Sequence, residues 1–99
     1  MVCSTIGTTV EGAIDKVEEL AKVCKKYGIW LHLDAAYGGV FFASPDLRHK
    51  IGCCKDVDSV VWDPHKGLLV PLQACVFLSR HPGVMEDCNS TAADYLFHR

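Results

Sequence analysis

IWLHLDAAYGG, residues 29–39, is the stretch on which the fold turns. Its first six residues are too few for a helix, rich in β-prone side chains and closed by small residues and glycines, so IWLHLD (29–34) is read as a strand with an abrupt end. Working outward, VCSTI (2–6) has the same form, ended by Gly7 and a GTT turn, and so has SVVWD (59–63), ended by Pro64. Between the first two lies a helical pattern. Asp15 and Glu18 stand at capping-box spacing, Val17, Leu20, Ala21 and Cys24 recur at helical intervals, and Gly28 follows, which predicts a helix over 15–27. Residues 45–52 read as a short amphipathic helix, QACVFLSR (73–80) as a fourth strand, and 82–88 as a last short helix with Pro82 at an early position.

Strands alternating with helical segments imply an α/β layer structure: a mostly parallel sheet with flanking helices. The turn at 67–71 is too short for a crossover helix, so the fourth strand is expected antiparallel to the third. The sequence contains no repeat, low-complexity segment or linker, and reads as one piece of one domain over 1–99.

Composition narrows the function classes. The chain has 99 residues, 49% hydrophobic and 22% charged, with net charge −2. Without a long Lys/Arg cluster there is no electrostatic footprint for nucleic acid or an anionic membrane. The longest nearly apolar stretch, 68–78, is broken by Pro71 and Gln73 and falls short of the roughly 18 residues a spanning helix needs. The start lacks a signal-peptide pattern, so a cytoplasmic location is the default expectation. Cys3, Cys24, Cys53, Cys54, Cys75 and Cys88 show no Cys-x-x-Cys spacing and sit mostly in apolar runs, which reads as reduced core thiols rather than disulfides. Trp30 and Trp62, one per strand, are expected in the core, and His49, His81 and His98 on the surface.

In sheets of this kind ligands bind beyond the carboxyl ends of the strands. Three loops fit that position: GTT, DAAYGG and DPHK. If the second and third strands are neighbours, Asp34 and Lys66 face one crevice. An amine beside a carboxylate and small residues is the set that pyridoxal phosphate requires, since it joins a lysine as a Schiff base and needs an acid at its ring nitrogen.

GTT, then WLHLDAAYGG, then SVVWDPHK with VPLQ, and finally DCN and YLF, resemble in order and spacing the group II pyridoxal-phosphate decarboxylases, especially the glutamate and cysteine sulfinate decarboxylase branch. The resemblance covers essentially the whole chain. It implies a part of the large domain of the aspartate aminotransferase-like fold (fold type I), without the N-terminal segment, the catalytic lid and the C-terminal small domain. It also implies an amino acid substrate, pyridoxal 5'-phosphate as cofactor and a homodimeric parent. By the same resemblance Lys66 forms the Schiff base, Asp34 partners the pyridine nitrogen, Ala36 lies against one ring face, Thr9 offers a cofactor-side hydroxyl, and His65 stands beside the phosphate and the mobile loop. Asp63 also belongs to the cofactor site, but the family usually has asparagine there, and a carboxylate would repel the phosphate unless it pairs or turns away. Tyr37 replaces the tryptophan usual in the glutamate branch, as in aromatic amino acid decarboxylases.

The expected reaction is decarboxylation of an acidic amino acid, glutamate to 4-aminobutyrate or cysteine sulfinate to hypotaurine, through Lys66. Three other readings stand beside it: a truncated remnant that is inactive and only docks onto full-length subunits, an aromatic amino acid decarboxylase, and a metal-dependent hydrolase. The last would gather His32, Asp34, Asp63 and His65 around a metal, but it leaves Lys66 unexplained. No metal is expected.

Overall fold

The structure, a computed structural model, describes residues 1–51 and 54–90. Four strands form one sheet in the order of the chain: β1 (Val2–Thr5), β2 (Leu31–Asp34), β3 (Ser59–Trp62) and β4 (Val76–Ser79). The first three run parallel, with Thr5 opposite Asp34 and Asp34 opposite Val61, and β4 returns antiparallel with Trp62 opposite Val76. The mixed sheet and its antiparallel edge follow the expectation from the short 67–71 turn.

Helix α1 (Val17–Tyr27) crosses from β1 to β2. It buries Val17, Ala21 and Cys24 against one face of the sheet, where Ile6, Leu31, Leu33 and Ala35 are fully buried. Alternation along β2 therefore sends Leu31 and Leu33 into the core and His32 and Asp34 to the opposite face. The helix ends where Gly28 adopts a left-handed conformation, φ 62°, and donates its N–H to the Cys24 carbonyl. Its last turn carries Lys25 and Lys26, complementing the helix dipole.

The predicted capping box does not form. Lys16 occupies the N-cap with no side-chain bond, because the Asp15 carboxylate is already used: its Oδ2 accepts the Thr5 backbone N–H at 2.7 Å and ties the helix entrance to the end of β1. Residues 45–52 give no amphipathic α-helix either. Two 3-10 segments, Gly38–Ala43 and Arg48–Ile51, take up most of this connection. Gly52 lies outside the described residues. The last helix, here α3 (Val84–Asn89; α2 is introduced below), starts after Gly83 rather than at Pro82, since Gly83 stands at the N-cap with φ 82°.

Two expectations about the core need correction. Cys24 is buried, but Cys3, Cys75 and Cys88 are exposed and Cys54 is half-buried. Cys3, Cys24, Cys75 and Cys88 carry free thiols, and Cys53 lies outside the described residues. Both tryptophans are only half-buried: β3 and β4 sit at the edge that α1 does not reach, and Val76, Phe77 and Leu78 there are 36%, 44% and 56% exposed. No described helix is long and apolar enough to cross a membrane.

Candidate functional site

The parallel register brings the ends of β1, β2 and β3 to one edge, and the DAAYGG loop is folded onto its neighbours there. The Ala35 N–H donates to the Val61 carbonyl at 3.0 Å and the Asp63 N–H to the Ala36 carbonyl at 3.2 Å. On the other side the Gly38 N–H donates to the Ile6 carbonyl at 3.0 Å. The glycines make this approach possible. A Cβ at Gly38 would stand 2.4 Å from the Ile6 carbonyl oxygen, and one at Gly39 would stand 2.0 Å from Trp62 Cδ1.

Asp34 ends β2, and its Oδ1 accepts the Ala36 N–H at 3.0 Å, an Asx-type turn that fixes the carboxylate at the strand end. Ala36 follows, half-buried, with only a methyl group to offer.

After β3 the chain makes a single helical turn, α2 (Pro64–Gly67), where the sequence alone points only to a strand stop. Pro64 at the first helical position supplies the pre-set φ, and Asp63 at the N-cap has extended backbone, φ −110° and ψ 90°. The turn carries Lys66 back over Asp63: Lys66 Nζ lies 2.8 Å from Asp63 Oδ2. The Asp63 side chain is 12% exposed and the Lys66 side chain 43%. Of the two ways Asp63 could avoid repelling a phosphate, it takes pairing.

Cys75 completes the cluster through its hydrogen bond to Asp63. That thiol and the Lys66 ammonium hold the Asp63 carboxyl below the ordinary carboxylate range. Asp63 in turn pushes the Lys66 ammonium up, with Asp34 adding to the effect, and pushes the Cys75 thiol up as well. Sequence reasoning misses Cys75. The signal lies in the hairpin: with Trp62 opposite Val76, the next antiparallel pair is Asp63 and Cys75.

His65 is held by the same return strand, its Nδ1 2.6 Å from the Ala74 carbonyl oxygen and 3.2 Å from the Ala74 nitrogen. Thr9 is exposed in the turn after β1; the hydroxyl used there is that of Thr8, which accepts the Ala13 N–H at 2.9 Å. The structure thus brings Asp34, Ala36, Asp63, His65 and Lys66 to one edge, while Thr9 stays on the neighbouring turn.

The metal reading finds no support. Among the described residues no three His, Cys, Asp or Glu side chains are grouped for a metal ion. His32 Nδ1 is 2.8 Å from Ser59 Oγ and its ring stacks on Phe77, while His65 is bound to Ala74. His81, expected on the surface, has its Nε2 2.7 Å from Asp58 Oδ1 and its ring against Trp30. A cavity of about 450 Å³ lined by Trp30, Asp58, Arg80 and His81 lies at the amino ends of β2 and β3, the edge opposite to Asp34 and Lys66.

With this geometry in place, comparison with known proteins is decisive. The family model of the pyridoxal-dependent decarboxylase conserved domain matches residues 1–99. The chain belongs to the pyridoxal-dependent decarboxylases. Among solved structures it is similar to mouse CSAD in its apo form, at 37% identity and TM-score 0.88, over 100% of this chain and 21% of that one. It is similar also to Oryza sativa TDC with PLP and tryptamine, at 34% identity and TM-score 0.88, over 99% of this chain and 20% of that one. Rhodiola rosea 4-hydroxyphenylacetaldehyde synthase matches at 38% identity and TM-score 0.81, over 87% and 18%. The mixed sheet with flanking helices is therefore part of the aspartate aminotransferase-like fold of these decarboxylases, and this chain spans about a fifth of the length of the solved relatives it matches. The YLF triplet (95–97) and His98 lie outside the described residues.

Proposed function

We propose that residues 1–99 form part of the cofactor-binding large domain of a pyridoxal-phosphate-dependent decarboxylase of amino acids, with Lys66 as the residue that joins the cofactor. The observation that carries the proposal is the meeting of Lys66, Asp34 and Ala36 at the carboxyl edge of the parallel strands, within a family match that runs over residues 1–99. The donor set fits the group: one primary amine, one carboxylate, and a methyl side chain that leaves a ring face clear.

When bound, pyridoxal phosphate supplies a ring that withdraws electrons from the substrate Cα as carbon dioxide leaves. The chain's own residues prepare the place for it. Asp34, fixed by the Ala36 N–H, would hold a proton at the pyridine nitrogen. Lys66 supplies the amine from a short, Pro-started turn whose position is set by the Lys66 N–H to Asp63 carbonyl bond at 2.9 Å. His65, braced by Ala74, keeps its ring at the rim, and Thr9 stands exposed in the neighbouring turn.

The substrate is proposed to be acidic, glutamate or cysteine sulfinate, on the PLQ and DCN motifs and the likeness of this chain to a fifth of mouse CSAD. A second reading, an aromatic amino acid, has its own support in Tyr37 and in the likeness to rice TDC bound to tryptamine. The rest of the site, including the lid, the small domain and a second subunit of a homodimer, is proposed to come from outside residues 1–99. The exposed β4 edge and a radius of gyration of 15.8 Å, against about 13 Å for a compact domain of this size, support that a larger body covers this piece. On that view residues 1–99 alone do not turn over.

The test is carbon dioxide release from L-glutamate, cysteine sulfinate and L-tryptophan by the longest protein that carries this sequence, supplied with pyridoxal phosphate, beside its Lys66→Ala variant. Release from an acidic substrate that vanishes in the variant is expected. No release from any of the three would favour the inactive remnant.

A further inference from the structure

We infer that Asp63 is a positioning residue that caps the Lys66 amine as an ammonium, and so slows its attack on a carbonyl carbon compared with a chain carrying asparagine at that position. The inference rests on the reading of Lys66 as the carbonyl-reactive amine.

Three observations carry it. The first is contact: Nζ and Oδ2 are 2.8 Å apart, the length of a charge-assisted hydrogen bond. The second is commitment of the acid. Asp63 stands at an N-cap, where a carboxylate ordinarily accepts the N–H two or three residues on, yet its side chain makes no cap bond. It is turned to Lys66 and Cys75 instead. The third is burial: the carboxylate is nearly enclosed, so the pair is less open to solvent than the half-exposed lysine alone indicates.

The chemistry follows from the lone pair. An amine attacks a carbonyl carbon only after its ammonium has lost a proton to solvent, and a carboxylate at hydrogen-bond distance stabilises the form that cannot attack. Asparagine would keep an acceptor oxygen at the same place without the charge. The groups facing Lys66 are Asp63 from the start of its own turn, Asp34 from the end of β2 and Cys75 from the residue before β4; His65 faces Asp63. The ammonium is accordingly raised above the ordinary lysine value, first by the Asp63 hydrogen bond and then by its charge and that of Asp34, with burial working in the opposite direction. Such a group keeps its proton throughout the neutral range and releases it only at a pH above that of a free lysine.

The experiment is trace acetylation of the longest protein carrying this sequence with acetic anhydride over a pH series. Nζ bonds to the acyl carbon, acetate leaves, and the amine proton goes to solvent. The Lys66 peptide is quantified by mass spectrometry against exposed Lys22 in the same chain. In Asp63→Asn the Lys66 to Lys22 ratio at neutral pH should rise roughly two- to fivefold, the range for a partly exposed ion pair, with the midpoint of its pH profile moving down. In the wild-type chain, unfolding in urea should bring the Lys66 pH midpoint down to that of Lys22, a shift that greater exposure alone does not produce, and this keeps the test open even if the variant does not fold. An unchanged ratio and midpoint across wild type, variant and urea would overturn the inference. Acetic anhydride involves no pyridoxal, so a chain that fails to bind the cofactor still reports whether Asp63 restrains the amine. A normal cofactor-labelled Lys66 with no Asp63 effect would refute this inference alone.

Discussion

A Cβ placed on Gly39 would stand 2.0 Å from Cδ1 of Trp62. The loop after β2 thus lies directly on the indole that ends β3, and Phe42 meets the same indole edge-on at 6.4 Å between ring centroids. Gly67 is matched to this arrangement, since a Cβ there would meet Val40 Cβ at 2.7 Å. Small residues at these points let the carboxyl edge of the sheet close on itself. Gly39→Ala has to push the indole or the loop away, and overpacking of this kind costs about 1–3 kcal/mol. A lowered urea midpoint with an unchanged m-value is the expected result.

Asp58 ties the opposite edge together. Its Oδ2 accepts the N–H of Leu31, a fully buried residue, at 2.8 Å, and its Oδ1 meets His81. Asp58→Ala leaves that N–H without its partner, at a cost of about 1–3 kcal/mol. Burial works against the Asp58 charge, but the Leu31 N–H and the His81 hydrogen bond outweigh it and hold the carboxyl below 3.8. A depressed carboxylate stabilises the fold fully above its unfolded value and loses that contribution as pH falls through the lowered one. Denaturation curves taken from neutral to acid should therefore fall less steeply for Asp58→Asn than for wild type.

Asp34→Asn separates the carboxylate's charge from its geometry. The amide oxygen can still accept the Ala36 N–H, so the fold and its denaturation midpoint should hold. Retention of pyridoxal phosphate by the longest protein carrying this sequence should fall about tenfold or more, the scale of one hydrogen bond to a charged group. Equilibrium dialysis against the cofactor measures it.

Much of this is legible in the sequence because strand ends and helix stops are written in local chemistry. Gly28, Pro64 and the AAYGG run terminate elements where their chemistry says they should, and the brevity of the 67–71 turn foretells the antiparallel β4. What is not legible depends on partners distant in sequence. Asp15 has the right spacing to cap α1, yet the Thr5 N–H, ten residues back, claims its carboxylate. His81 is on the surface as expected, but its partners Asp58 and Trp30 are brought to it only by the sheet. The Asp63–Lys66 pair shows the same limit at the site: a three-residue spacing reads as a helix neighbour only once the single turn after Pro64 is recognised, and a strand stop at proline hides it. The expectation of core cysteines fails because an apolar run is not the same as burial: Cys3 on β1, Cys75 just before β4 and Cys88 on α3 are all exposed.

The whole reading depends on the Lys66 amine being the point of attachment for pyridoxal phosphate, and reduction with borohydride after incubation with the cofactor is its sharpest test. Peptide mapping of the longest protein carrying this sequence should find the pyridoxyl group on Lys66, and Lys66→Ala should abolish it while neighbouring lysines stay unlabelled. A pyridoxyl group that maps to another lysine, or a Lys66 peptide that stays unmodified while the protein holds the cofactor, would overturn that assignment.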